Sequence, residues 1–229
     1  MSQLVLAVAT RGWEGWQECV NSWDETASLP RRKYIVYGKE VLPAYQEALV
    51  KTTEPIISMT HDDVIIHEKG WDTRVLREFD DPSVGMVGFG GGLRHGSPNL
   101  YVEPYQLAQL GRFGFRSNMR NAEAHGERFT GECDVAVLDG FAMFVRRSIL
   151  EKAGGWPLKT PINYFCYDYW LCCEARRQGY RIRLVGVDCE HLSGKTASMV
   201  QLTDDHAAAH RYLYDTSKDV LPFEVERAA

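Results

Sequence analysis

Three short apolar runs, separated by two amphipathic stretches, restrict the first quarter of this chain to very few folds. Leu4–Ala9, Tyr34–Tyr37 and Ile56–Met59 have the length of strands rather than of buried helices. Between them, Glu14–Trp23 sets Trp16, Val20 and Trp23 on one helical face. Pro43–Thr52 does the same with Tyr45, Ala48 and Leu49, and Pro43 suits a first turn. Strand, helix, strand, helix, strand is the order of a parallel sheet with crossover helices. Ligands of such sheets gather outside the carboxyl ends of the strands, so Thr10-Arg11 and His61-Asp62-Asp63 are expected on one rim.

The third run ends abruptly in His61-Asp62-Asp63. Adjacent like charges at the end of a buried strand are costly unless a cation or ligand lies between them, which points to a divalent metal and the phosphates it neutralises. A polar turn or helix cap is the structural alternative for an isolated Asp-Asp pair.

Downstream, Gly70–Phe79 reads as a helix capped by Asp72, and Val84–Phe89 as a fourth strand. Gly88–Gly92 lacks the Lys-Ser/Thr of a phosphate loop and reads as flexible backbone. Residues 90–131 form an irregular insertion carrying Arg94, His95, Tyr101, Tyr105, Arg112, Phe113, Phe115, Arg116, Arg120, His125 and Arg128. Aromatic faces and arginine forks there suit sugars, bases or phosphates, against a small solvated subdomain. Val135–Val145 is a buried strand broken at Asp139-Gly140, where a glycine suggests a close approach. Arg146–Ala153 is a short helix stopped by Gly154-Gly155, and Trp156 begins a loop. Tyr167–Arg177 is a helix with Asp168 near its amino end, either as a cap or as a functional carboxylate. Tyr180–Val187 is a strand leading to His191, and a tail helix spans about Asp204–Asp215.

A chain of 229 residues with a net charge of -5 suits one large domain and disfavours a nucleic-acid backbone as general partner. No apolar segment has membrane-spanning length, and the start reads as a first strand rather than a signal peptide. Six cysteines without a Cys-x-x-Cys pair read as reduced thiols, which suggests a cytoplasmic protein, soluble or at the membrane periphery.

Four segments in this order carry a family resemblance: Leu4–Arg11, Ser58–Val64, Gly140–Trp156 with Arg146-Arg147 and Gly154-Gly155-Trp156, and Tyr167-Asp168 through Gly179 to His191. Over about residues 3–195 the chain resembles the family-2 type of nucleotide-sugar glycosyltransferases. The resemblance implies a GT-A-like three-layer α/β sandwich with a mostly parallel central sheet. It implies a nucleotide-binding half at 1–87, an acceptor-binding and catalytic half at 88–195, and a helical tail at 196–229. Asp63 falls on the last carboxylate of the family's Asp-x-Asp motif, which holds Mn2+ or Mg2+ against the donor diphosphate. His61 stands where the first aspartate is usual, and His191 matches a histidine that completes the metal site. Imidazole favours Mn2+ over Mg2+. Asp62, Thr10, Arg11 and Gly140 are expected around the nucleotide, Asp168 matches the general base, and Trp156 and Asp139 are expected at the acceptor. Tyr37-Gly38-Lys39 stands where many members carry a base-contacting aspartate, so UDP and GDP both stay open as the donor's nucleotide.

The resemblance therefore implies an inverting, metal-dependent transfer of a sugar from a nucleotide-sugar donor to a hydroxyl of a glycan or other acceptor. A cation relieves the charge on the leaving diphosphate, and one carboxylate takes the acceptor proton. Three other readings compete. A nucleotidyltransferase wants a glycine-rich basic loop, which Ala9–Trp13 lacks. A His-Asp phosphohydrolase places its ligands on helices, not at the end of an apolar strand. A binding module without turnover fits the His61 departure. His67, His95, His125, His206 and His210 belong to no motif and read as surface or loop histidines, while Tyr164-Phe165 and Tyr169-Trp170 read as core.

Overall fold

The computed structural model describes residues 2–96, 114–120, 126–162, 164–192 and 204–225. Tyr101, Tyr105, Arg112, Phe113 and His125 lie outside the described residues.

The chain opens with strand β1 (Leu4–Thr10), helix α1 (Trp16–Glu25), β2 (Arg32–Tyr37), α2 (Val41–Lys51) and β3 (Ile56–Thr60), the expected alternation. There follow β4 (Val64–Ile66), α3 (Trp71–Glu78), β5 (Val84–Gly88), β6 (Gly90–Gly92), β7 (Arg94–His95), β8 (Arg116–Ser117), β9 (Glu127–Arg128), β10 (Glu132–Asp134), β11 (Val137–Leu138) and β12 (Ala142–Arg146). Helix α4 (Arg147–Lys152), helix α5 (Tyr167–Arg177), β13 (Arg181–Val185), β14 (Cys189–His191), helix α6 (Asp204–Thr216) and β15 (Phe223–Glu224) complete it.

Seven strands form the central sheet in the order β10-β13-β5-β12-β3-β1-β2. β1, β2, β3, β5 and β13 share one direction, whereas β12 runs antiparallel to both β3 and β5, and β10 antiparallel to β13. Alternation along the strands sends side chains to two cores. Val5, Ala7, Ile57 and Met59 pack with α2, α4, α5 and α6 on one face. Leu4, Leu6, Val8 and Ile56 pack with Trp23 of α1 and Trp71 of α3 on the other. The result is the three-layer α/β sandwich expected. Among the described residues, no helix is long and apolar enough to cross a membrane.

Several expectations are corrected. Gly70, not Asp72, stands at the amino cap of α3, while the Asp72 carboxylate accepts hydrogen bonds from the backbone N–H groups of Ser28 and Leu29. Gly88–Gly92 is not flexible: its glycines are buried in β5 and β6, and a Cβ on Gly91 would lie 2.5 Å from the Val137 carbonyl oxygen. The described part of the 90–131 insertion forms short strands, with β6, β8 and β9 joining β11 in a second sheet. Its arginines are engaged within the fold: Arg94 with Glu224, Arg116 with Glu127, Arg120 with Asp188 and Arg128 with Asn118.

Candidate functional site

The β3–β4 connection carries His61, Asp62 and Asp63 beyond the carboxyl end of β3. It is held in place by the His61 N–H, which donates to the Phe141 carbonyl at 2.9 Å. β14 pairs antiparallel with β4 in a register that sets His191 opposite Val64, and the Leu192 N–H donates to the Asp63 carbonyl. This short ladder brings together side chains about 130 residues apart in sequence.

His61, Asp63 and His191 each direct one donor atom into a common space, all within 4.8 Å of one another. Asp63 Oδ1 lies 3.2 Å from His191 Nε2 and 3.8 Å from His61 Nδ1, and the two imidazole nitrogens are 3.3 Å apart. Ligands at right angles and about 2.1 Å from one ion stand about 3 Å apart. The triangle is slightly wider than that, and its donor set, two imidazoles and a carboxylate, suits a first-row transition ion better than Mg2+.

The tautomer of His61 follows from its neighbours. The Tyr167 hydroxyl donates to the Gly140 carbonyl at 3.1 Å and lies 2.9 Å from His61 Nε2. With its one proton committed, the Tyr167 oxygen accepts from Nε2–H, which leaves a lone pair on Nδ1 facing Asp63 and His191. Burial, reinforced by His191, lowers the His61 pKa to about 4, so the ring is neutral at pH 7. His191 shifts upward, because the Asp63 carboxylate outweighs the effect of burial.

Asp168 sits in the first turn of α5, where Oδ2 accepts from the Gly140 N–H at 3.1 Å and Oδ1 from the Tyr169 N–H at 2.8 Å. Burial, with the nearby Asp139 charge adding to it, pushes its carboxyl up to about 7. Both hydrogen bonds favour the ionised form, yet desolvation wins. Gly140 has to be glycine: a Cβ there would overlap the Tyr167 hydroxyl.

Three cavities meet at this rim. One of about 360 Å³ is lined by His61, Asp62, Asp63, Tyr45 and Tyr164. A second, of about 820 Å³, adjoins it through Asp62 and Trp13 and is lined by Thr10, Arg11 and Lys39. A third, of about 170 Å³, is lined by His61, Asp139, Gly140 and Asp168. Thr10-Arg11 and His61–Asp63 thus share one rim as expected. Asp62 is raised by burial despite hydrogen bonds to the Thr10 and Trp13 side chains.

Trp156 is placed differently. It is only 5% exposed, and Tyr45, Tyr167 and Trp170 surround its ring, so it has no open face for an acceptor. Tyr164, read from sequence as core, is 44% exposed and lines all three cavities. His206 and His210 are buried against the third cavity rather than lying on the surface, and His95 is buried too. Tyr167 has no expected role of its own; its sequence signal is adjacency to Asp168.

A profile described as "Glycosyltransferase like family" matches residues 34–212. No curated protein sequence matches the chain. Among solved structures, a mannosyltransferase from Pyrobaculum calidifontis in complex with GDP-Man and Mn2+ aligns at a TM-score of 0.52 and 15% identity, over 95% of this chain and 73% of that one. GalNAc-T7 with UDP, GalNAc and Mn2+ aligns at a TM-score of 0.60 and 8% identity. That alignment covers 95% of this chain and half of the longer partner, 50%. At such identities the likeness concerns the fold, which is GT-A.

Proposed function

Because the chain belongs to this glycosyltransferase-like family, over residues 34–212, we propose that it transfers a sugar from a nucleotide-sugar donor to an acceptor hydroxyl with inversion, and that it uses Mn2+. One observation carries the reading: His61 lines both the cavity with Asp62 and Asp63 and the cavity with Asp168, so the metal-ligand triad and the basic carboxylate face each other across a single imidazole. The bound nucleotides and Mn2+ of the two solved structures support a donor of the UDP- or GDP-sugar type.

In this reading the donor nucleotide occupies the larger cavities, along Thr10, Arg11 and Asp62. His61 Nδ1, Asp63 Oδ1 and His191 Nε2 would hold the cation. Bound there, a divalent ion supplies Lewis acidity toward the departing diphosphate. Tyr167 keeps the His61 lone pair on Nδ1, on the side of Asp63 and His191. Asp168 accepts the acceptor's hydroxyl proton as the acceptor oxygen bonds to the anomeric carbon. The carbon–phosphate oxygen bond breaks, and its electron pair leaves with the nucleoside diphosphate. Attack from the side opposite the leaving group inverts the anomeric centre. Gly140 orients Asp168 through its N–H, and Asp139 borders the acceptor. Residues 1–87 supply the donor side, residues 88–195 the base and His191, and the tail beyond them part of the acceptor wall. The spacing of the cysteines supports a cytoplasmic, reducing setting.

The test is a panel of UDP- and GDP-sugars, screened for thermal stabilisation with and without Mn2+ and then for transfer. At least one donor is expected to raise Tm only with the metal, and Asp63→Ala is expected to abolish both that shift and turnover. Donor binding that is indifferent to Mn2+ and to Asp63→Ala would overturn the assignment.

A further inference from the structure

The ladder that delivers His191 to Asp63 is only three pairs long, β4 against β14. A two-stranded ribbon of that size is marginal in water on its own. On its other side β14 gains one bridge, from Cys189 to Met119. The register is therefore set by what fixes the two ends. One end is closed at the site itself, by the Leu192 N–H on the Asp63 carbonyl at 2.9 Å. The other end is Asp188, reached through a short turn, 186–188, that carries the chain from β13 into β14.

At Asp188, Glu68 engages both backbone polar groups. The Glu68 N–H donates to the Asp188 carbonyl at 3.2 Å, and the Asp188 N–H donates back to Glu68 Oε2 at 3.0 Å. Glu68 Oε1 is occupied too, accepting from Arg74 Nη1 of α3 at 2.6 Å. Arg74 reaches on to the Glu132 carboxylate of β10 at 2.6 Å and to the Thr130 carbonyl at 3.0 Å. Glu68 thus ties the start of β14 to α3 and to the edge of the central sheet. Arg120 also pairs with the Asp188 carboxylate, but that contact is exposed and solvent screens it. Without the Glu68 carboxylate, the Asp188 N–H and one Arg74 nitrogen lose their acceptor. The turn would relieve this by swinging toward water, and β14 would move with it. A functional side chain must be held within about 0.5 Å of its productive place, so a small swing is enough to matter.

We propose that Glu68 is a positioning residue for the metal site: through the backbone of Asp188 it sets where His191 Nε2 stands relative to Asp63 and His61. It belongs to no segment that carries the family resemblance, and it acts from the end of the ladder remote from the site. The proposal rests on the metal assignment given above and adds a residue that the triad depends on.

The probe is Mn2+ alone, its binding read by calorimetry and by loss of the free-ion electron paramagnetic resonance signal. Glu68→Ala is expected to weaken Mn2+ affinity about tenfold, the lower end of what losing an outer partner of a metal ligand costs. Glu68→Gln can still accept from the Asp188 N–H and should recover most of that loss. Arg147→Met is the control: it loosens the contact between α4 and the end of α2, away from the ladder, and should leave Mn2+ affinity within twofold. The unmodified protein supplies a check that needs no variant to fold. Coupling between two sites is reciprocal, so Mn2+ should slow hydrogen exchange at the Asp188 amide, read by mass spectrometry with fragmentation. Four outcomes would each overturn the proposal. They are an affinity within twofold of the unmodified protein in folded Glu68→Ala, no recovery in Glu68→Gln, an equal loss in Arg147→Met, and an Asp188 amide whose exchange ignores Mn2+. If the unmodified protein binds Mn2+ in any of these cases, the metal assignment stands and only the role of Glu68 falls. If it does not bind Mn2+ at all, the metal assignment falls and takes this role with it.

Discussion

A carboxyl group that titrates near 7 is poised to take a proton at neutral pH, because it is ionised often enough to act and basic enough to hold what it takes. Asp168 reaches that state through burial and through Asp139, against the pull of two backbone N–H groups. Transfer is therefore expected to rise with pH through about 7 and then level off. Asp168→Asn should cost about 10²–10⁴-fold in kcat/KM and flatten that limb. Initial rates from pH 5.5 to 9 at saturating Mn2+ check both points, and wild-type rates in the variant would remove Asp168 from the chemistry. In the proposed mechanism Tyr167 acts one step away, on the proposed metal ligand His61. Tyr167→Phe leaves the ring but removes the oxygen that accepts from His61 Nε2–H, which frees the imidazole to take the wrong tautomer. Loss of such an outer partner typically weakens metal affinity about 10–100-fold. Titration of Mn2+ by calorimetry should show that loss, with kcat at saturating metal changed far less than the affinity.

The elements that hold these side chains owe their placement to contacts of unequal visibility in sequence. Arg147, at the start of α4, is 8% exposed and donates to the Glu54 and Leu49 carbonyls and to the Thr52 hydroxyl, which clamps the carboxyl end of α2. Arg147→Met would leave those acceptors without their cationic donor, at a cost of about 3 kcal/mol. For a chain of this size that is about 6–12 °C in Tm by calorimetry. The apolar runs and the helices were readable because each has a single dominant period. The direction of β12 was not, since alternation is the same whichever way a strand runs, and only its pairing with Thr60 through Ile56 reveals that it is antiparallel. The burial of Trp156 is hidden from the sequence for a related reason. Gly154 and Gly155, with φ of 81° and 93°, swing the chain inward, and Gln46 Oε1 accepts from the Trp156 N–H at 2.9 Å. His206 and His210 could have been found: with Ala209 and Leu213 they make a stripe at helical spacing, all of it buried. The β4–β14 ladder, only three pairs long, could not, although it brings His191 to Asp63.

At the scale of the whole molecule, these buried ionisable groups set how stability responds to pH, and their signs oppose one another. His61, His95, His206 and His210 all have folded pKa values below the unfolded 6.5, chiefly through burial. Below 6.5 the unfolded chain binds protons that the folded one refuses, so each histidine subtracts stability as pH falls from 6.5 toward its folded value. Asp168 does the reverse. Its folded value of about 7 exceeds the unfolded 3.8, so the native state holds a proton that the unfolded chain has lost, and stability declines as pH rises from about 4 to 7. Asp62 and Glu174 share that sign, and both are raised by burial. The paired surface acids Asp24, Asp81, Asp188 and Asp219 are lowered by their partners and add stability above about 4, but exposed pairs contribute little. Among the described residues, four buried imidazoles against one strongly shifted carboxyl decide the balance. In EDTA, which keeps metal from masking His61, urea unfolding should give a stability that climbs from pH 4 to 6.5. In Asp168→Asn the opposing contribution disappears and the climb should steepen. A stability that is flat or falling over that interval would mean that the histidines are not held neutral in the fold.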